Sequence, residues 1–334
     1  MMYLLTLFII VLSFFLIFLC NKKNFLLSKS GDRHQEFSSQ IATPLIGGII
    51  IFCSIFTFKI YNFDIFLIFI FSIFIIGLSS DLKKMNSPIL RLILQLFIIV
   101  STVYSLNLVL ENTRIIFLDH LLNNYYFAIL FTSFCILIIV NGTNFIDGIN
   151  SLVIGYYIII SFALLFLQHK GFTLSSNFSS ILLLLICLII LYYLNLLNKL
   201  YLGDSGAYLL GFIFSIELIN LYLKNTISPF FIILLLWYPA FENLFSILRK
   251  VNFKKSPIDP DTNHLHQLIF SYFIKKNLSS LKANNITGIL INIYNSIIVM
   301  ISLLNPLSTE IQIILIMFNL FVYSFLYMKL FKYR

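Results

Sequence analysis

What this sequence has least of is charge. Asp, Glu, Lys and Arg together make up 10% of its 334 residues, against about 25% in an average soluble domain. That scarcity excludes an ordinary water-soluble globule. Cysteine is sparse as well: Cys20, Cys53, Cys135 and Cys187 lie within or at the end of apolar stretches, and no C-x-x-C occurs. Neither a disulfide framework nor a zinc site is indicated, and the four read as small apolar packing residues. Internal repeats and low-complexity tracts are not evident. The net charge is +9, but no soluble segment exists to carry a nucleic-acid-binding surface, so nucleic acid is not an expected partner.

What is present is apolar length. Hydrophobic residues make up 60% of the chain and mean hydropathy is +0.99. Runs of about twenty apolar residues recur throughout, which is the length of one helical bilayer crossing. Eleven spans are expected, near 2–20, 44–60, 64–80, 89–110, 125–141, 149–168, 179–197, 205–223, 228–248, 286–304 and 311–330. The expected fold is therefore all-α, a polytopic membrane helix bundle forming a single domain over 1–334. Residues 1–20 lack the basic start and small-residue cleavage site of a signal peptide, and read as a retained first span.

Lys and Arg set the expected orientation. With the N-terminus outside, 18 of the 22 cations fall on the inner side, seven of them in the long segment 249–284. The four left outside are Lys59, Arg114, Lys170 and Lys224. The C-terminus then lies in the cytoplasm.

The thirteen acids carry the functional signal through their placement. Carboxylates inside a bilayer cost several kcal/mol, roughly 2.5–3.5 on insertion scales, and are usually functional. Asp81 closes the third span, Asp147 follows the fifth in "VNGTNFIDGINSL", and Asp204 lies between the seventh and eighth; Asp259 and Asp261 fall in the long segment after the ninth. All five share the inner face in this topology, where polar ends of alternate helices can converge on one cavity. Each taken alone could equally be a solvated loop residue or a helix cap. Asp147 and Asp204 stand out because glycines bracket them, Gly142 and Gly148, then Gly203 and Gly206. Glycine allows close approach of a phosphate, and a following helix N-terminus offers unpaired N–H groups to an anion. Glu217 reads as a structural residue facing the bundle, and Glu242 is placed to pair with Arg249 or Lys250. A secondary transporter is the rival class, but transporters tend to hold their sites near the midplane, often with repeat symmetry. Here the acids crowd one face.

At these residues the chain resembles the polyprenyl-phosphate N-acetylhexosamine-1-phosphate transferases, integral-membrane enzymes of glycosyltransferase family 4 that start bacterial cell-envelope glycans. The likeness runs from about residue 30 to 270. "TPLIGGIIIF" (43–52) resembles a Thr-Pro-x-x-Gly-Gly segment, "GLSSDLKK" (77–84) a Gly-x-x-Asp-Asp motif, and "NGTNFIDGINSL" (141–152) an Asn-x-x-Asn-x-x-Asp-Gly motif. "LGDSGAYLLG" (202–211) resembles a Gly-Asp-x-Gly-Ser segment and "NHLHQL" (263–268) a His-x-His loop, with "RHQEF" (33–37) a weaker match. A His-x-His in place of a His triplet, with eleven spans, resembles the N-acetylglucosamine-1-phosphate branch that starts O-antigen or related glycans. The phospho-N-acetylmuramoyl-pentapeptide transferase branch fits less well.

The resemblance implies transfer of an N-acetylaminosugar-1-phosphate from a UDP-sugar to undecaprenyl phosphate at the cytoplasmic face of a bacterial inner membrane. It implies Mg²⁺ or Mn²⁺ held by Asp204 and Asp81, catalytic roles for Asp81, Asp204 and Ser80, and substrate contacts from Asn141, Asn144, Asp147, Arg249, His264 and His266. Partners beyond the two substrates would be membrane lipid and a second copy of the chain. Three positions depart from the pattern: Ser80 for an aspartate, Ala207 for a serine and Ser151 for a common glycine. Ser80 is the serious one, since the missing aspartate has been regarded as the base acting on the lipid phosphate. A phosphate monoester has a second pKa of about 6, so near neutrality it needs little help to lose its proton. Ser80 is expected to donate a hydrogen bond to that phosphate in an active enzyme; the competing reading is a catalytically inactive relative.

Overall fold

Segments this apolar can bury their backbone polar groups only within themselves, so helices are the expected form. The computed structural model describes residues 2–28, 42–59, 65–252, 254 and 263–333. Among these residues are fourteen helices: α1 (Met2–Lys23), α2 (Gly47–Lys59), α3 (Ile65–Asp81), α4 (Pro88–Ser105), α5 (Ile116–Leu122), α6 (Tyr125–Ile146), α7 (Leu152–His169), α8 (Phe178–Leu196), α9 (Gly203–Lys224), α10 (Pro229–Leu235), α11 (Trp237–Asn252), α12 (Leu265–Lys275), α13 (Ser280–Leu303) and α14 (Thr309–Phe331). Pairing outside helices is limited to isolated bridges, Leu27 with Pro44 and Leu45 with Tyr201. Local signals mark several starts: Ser87 accepts from Leu90 N at 3.3 Å ahead of Pro88, and Asn124 accepts from Phe127 N at 3.1 Å.

Ten of the eleven expected spans each coincide with one helix and the span expected at 228–248 with two, and the chain is a multi-pass membrane protein. By length and apolarity eight helices can cross a bilayer, or nine with α10 and α11 counted as one bent span; α2 and α3 are shorter. Two elements lie outside the expected spans. α5 sits between the fourth and fifth, and α12 occupies part of 249–284, which the sequence reading left as a loop.

The centre of the bundle is α9. It packs against α2, α3 and α6, and 78% of its apolar window is buried, against 17% for α1 and 22% for α14. Its first turn is approached by small residues: a Cβ on Gly48 would lie 2.4 Å from Gly206 N, and one on Gly77 would lie 2.4 Å from Ser205 Cα. Helices in lipid gain little from hydrophobic burial against one another, so close backbone packing at such positions holds them together.

The span expected at 228–248 is broken, with α10 and α11 meeting at 77°. Pro239 explains the break. It has no N–H to give the Leu235 carbonyl four residues back, and the buried Tyr156 hydroxyl donates to that carbonyl instead, at 2.6 Å. Trp237 anchors the other side of the corner, donating to Asn295 Oδ1 at 3.0 Å. Tyr156→Phe would strand a buried carbonyl and is expected to lower stability by about 1–3 kcal/mol. Thermal unfolding of the detergent-purified protein checks this; an unchanged melting temperature would mean that the bend does not depend on Tyr156.

Candidate active site at one end of the bundle

A buried helix begins with N–H groups that have no partner within the helix. α9 starts at Gly203, whose φ of +77° suits glycine, and Leu202 before it supplies no side-chain cap. Two other elements fill that role. Asp81, the last residue of α3, accepts from Asp204 N at 2.8 Å through one oxygen and from Ser205 N at 3.0 Å through the other. Asp147, just past the end of α6, lies close enough to the Gly203 N–H for that group to favour its charged form. The preceding loop is held in turn by α2: Gly47 N donates to the Tyr201 carbonyl at 3.0 Å and Gly48 N to that of Leu202 at 3.1 Å. Four segments far apart in sequence (43–48, 77–81, 141–147 and 201–206) thus meet at one helix N-terminus.

Asp204 points its carboxylate at a cation absent from the sequence-derived site. Arg91, on α4, donates to Asp204 Oδ2 at 2.7 Å, and Ser80 Oγ donates to the same oxygen at 2.5 Å. Arg91 also donates to Ser80 Oγ. The expected Ser80 proton for a lipid phosphate is therefore directed at Asp204 in this structure. Burial first, then the Asp204 and Asp81 carboxylates, hold the Asp147 carboxyl well above the usual carboxylate range, with the Gly203 N–H pulling it back. Three acidic side chains near one arginine make a pocket of hard oxygen donors. Among the described residues no three His, Cys, Asp or Glu side chains form a ready ligand set for one ion. Such a pocket suits a cation that takes one or two protein carboxylates and completes its shell elsewhere.

A polar thread continues from this cluster. Asn141 Nδ2 donates to Gln95 Oε1 at 3.2 Å and Asn144 Nδ2 to the Tyr208 hydroxyl at 3.4 Å. Asn141, Asn144 and Asp147 recur every third residue, which keeps them on one side of the end of α6. Asn150, from the same motif, turns to structure: its N–H donates to Asn284 Oδ1 at 2.6 Å. Arg91 and Gln95 escaped the sequence reading, although polar residues four apart in an apolar helix are a usable signal.

The histidines lie beside this cluster. The His264 ring packs against Phe145, centroids 5.8 Å apart, and stacks on His266 at 5.4 Å. Phe145 falls between Asn144 and Asp147, so the His-x-His segment reaches the same helix end. His266 is fully buried and neither ring nitrogen makes a hydrogen bond among the described residues; burial pushes its imidazole down to about 3, so it is neutral near pH 7. Glu242 has His264 for a close partner, 2.9 Å from Nδ1, where pairing with Arg249 or Lys250 was expected. Arg249, expected at the substrate, is 7% exposed. It donates to the Asn263 carbonyl at 2.9 Å and lies over Phe245 and Tyr327, which ties α11 to α14. Glu217 accepts from Ser175 and Ser176 and serves the structure, as expected. Asp259, Asp261 and the 33–37 stretch lie outside the described residues.

Asp81→Asn would offer one acceptor oxygen to two N–H groups and set an NH₂ against the other. It is expected to cost about 1–3 kcal/mol of stability, read as a lower melting temperature, whereas Ser80→Ala should shift melting much less. Equal melting of Asp81→Asn and the unsubstituted protein would contradict the capping role.

Comparison with known proteins agrees with the geometry. Residues 63–222 match the glycosyl transferase family 4 model. A probable undecaprenyl-phosphate N-acetylglucosaminyl 1-phosphate transferase of Bacillus subtilis is 30% identical over 146 residues, 43% of this chain and 40% of that protein. Decaprenyl-phosphate N-acetylglucosaminephosphotransferase of Mycolicibacterium smegmatis is 29% identical over 160 residues, 42% of this chain and 39% of that protein. An undecaprenyl-phosphate alpha-N-acetylglucosaminyl 1-phosphate transferase of Thermotoga maritima is 27% identical over 245 residues, 70% of each chain. The matches thus span about two fifths of the first two relatives. Segment 63–222, which carries Asp81, Asp147 and Asp204, is therefore a glycosyl transferase family 4 region.

Proposed function

We propose that this protein transfers an N-acetylaminosugar-1-phosphate from a UDP-sugar to undecaprenyl phosphate, releasing UMP, at the cytoplasmic face of a bacterial membrane. The observation that carries the reading is the meeting of Asp81, Asp147 and Asp204 around the start of α9. Three relatives are named for polyprenyl-phosphate substrates and N-acetylglucosamine phosphate transfer, which supports that donor sugar first; the product is proposed to enter a cell-envelope glycan pathway such as O-antigen synthesis.

In this reaction an oxygen of the lipid phosphate attacks the sugar-bearing phosphorus, a P–O bond to that phosphorus forms, and the bond to UMP breaks. Phosphoryl transfer asks a protein for positioning and charge neutralisation more than for covalent help. Asp204 and Asp81 would hold Mg²⁺ or Mn²⁺; the Asp204 oxygen not bonded to Arg91 is the better placed of their donors, since both Asp81 oxygens already accept N–H groups. When bound, such an ion supplies positive charge to the diphosphate. Arg91 is the second cation of the pocket, its side chain 20% exposed, and it can turn toward a phosphate when the charge on Asp204 is met otherwise. Ser80 keeps the Asp204 carboxylate in place, so the reading needs no carboxylate at position 80. Asn141 and Asn144 present amides, and His264 a ring nitrogen, to the sugar nucleotide. The basic segment around 249–284 draws polyanionic substrate and anionic lipid to this face.

The test is UMP release from undecaprenyl phosphate and UDP-N-acetylglucosamine by purified protein, with other UDP-N-acetylaminosugars beside it. Release should require both substrates, stop with EDTA and return with Mg²⁺ or Mn²⁺. Asp204→Asn should lower it by about a hundredfold or more, the scale seen when a charge-stabilising group is lost. Ser80→Ala should retain measurable turnover. Silence of the folded, unsubstituted protein, relieved by Ser80→Asp, would overturn the reading in favour of an inactive relative.

A further inference from the structure

Glu242 has no part in the reaction drawn above, yet its carboxylate is completely buried and surrounded by donors. One oxygen lies 2.9 Å from His264 Nδ1. The other accepts from Leu265 N at 3.1 Å and lies 3.9 Å from His266 Nδ1. A carboxylate can be buried this deeply only when such partners replace its water. The cost is met on behalf of one residue in particular. The Glu242 bond uses up His264 Nδ1 and leaves Nε2 as the ring's other nitrogen, on a side chain that is 7% exposed. Phe145 and His266 both pack against the ring, and Gln267 Oε1 closes the local turn by accepting from His264 N at 3.1 Å.

We propose that Glu242 is the positioning residue of His264: it keeps the proton on Nδ1 and so presents Nε2 as the ring nitrogen that meets the sugar nucleotide. The inference rests on the function proposed above for the direction Nε2 faces, but not for the tautomer itself. The two carboxylate oxygens are both needed, one for Leu265 N and one for the imidazole. A glutamine has a single oxygen. If that oxygen stays with Leu265 N, the NH₂ group faces Nδ1 and favours the opposite tautomer, with the proton on Nε2.

Protein with ¹⁵N-labelled histidine, reconstituted in nanodiscs, tests the tautomer directly. The chain has five histidines, and the signal lost in His264→Asn assigns the one in question. The unsubstituted protein should show Nδ1 of His264 protonated, and Glu242→Gln should show the proton moved to Nε2. Turnover in Glu242→Gln should fall by about tenfold or more, the scale for groups that orient a working histidine, and the same change in a His264→Asn background should cost nothing further. A bare Nδ1 in the unsubstituted protein would overturn the proposal without any variant having to fold. A loss in Glu242→Gln that simply adds to that of His264→Asn would overturn it too. Failure of the unsubstituted protein to release UMP would count against the proposed reaction and leave the spectroscopic result to stand by itself.

Discussion

The start of α9 imposes the constraint on which the rest of the structure depends. A helix beginning inside a membrane protein exposes N–H groups that water cannot reach, and each left unpaired is costly. Here Asp81 satisfies two of them from α3, and Asp147 at the end of α6 lies beside the Gly203 N–H. The α9 terminus also attracts negative charge through its dipole, so the arrangement that completes the helix also gathers carboxylates. Structure and chemistry share residues at this point, and Asp81 cannot be altered for one without touching the other.

That gathering would be unfavourable without compensation. Arg91 provides it, reaching Asp204 from α4 together with Ser80. The departure at position 80 makes sense in this light: a hydroxyl donates to Asp204, whereas a carboxylate would add another acidic group next to the three already present. The departure at Ser151 has a visible backbone cost, since its φ is +66° in the region that favours glycine. Asn195 and Asn292 hold the residue there, accepting from its N–H at 2.5 Å and donating to its carbonyl at 3.0 Å. At Ala207 the side chain is fully buried in α9, where a small residue fits.

The break at Leu236 links this centre to the histidines. Pro239 frees a carbonyl, Tyr156 takes it up, and the chain turns so that α11 packs along α6. Glu242 is carried on α11 and His264 starts α12, while Phe145 belongs to α6. An interruption in one span therefore brings a buried carboxylate to an imidazole beside the Asn141–Asp147 motif.

The sequence by itself determined the membrane class, the helices and the grouping of Asp81, Asp147 and Asp204 at alternate helix ends, because bilayer thickness and the cost of buried charge act on local composition. The motifs also pointed to the segments that meet at the start of α9. Partner choice was another matter. That Arg91 faces Asp204, that Ser80 spends its proton on that carboxylate, that Glu242 takes His264 and that Arg249 turns to Asn263 and Tyr327 all depend on which helix faces packed together. Those contacts join residues from 14 to 124 positions apart, beyond any periodicity in the chain. Only the tertiary structure decided them, because a buried polar group takes the partner that packing brings within reach.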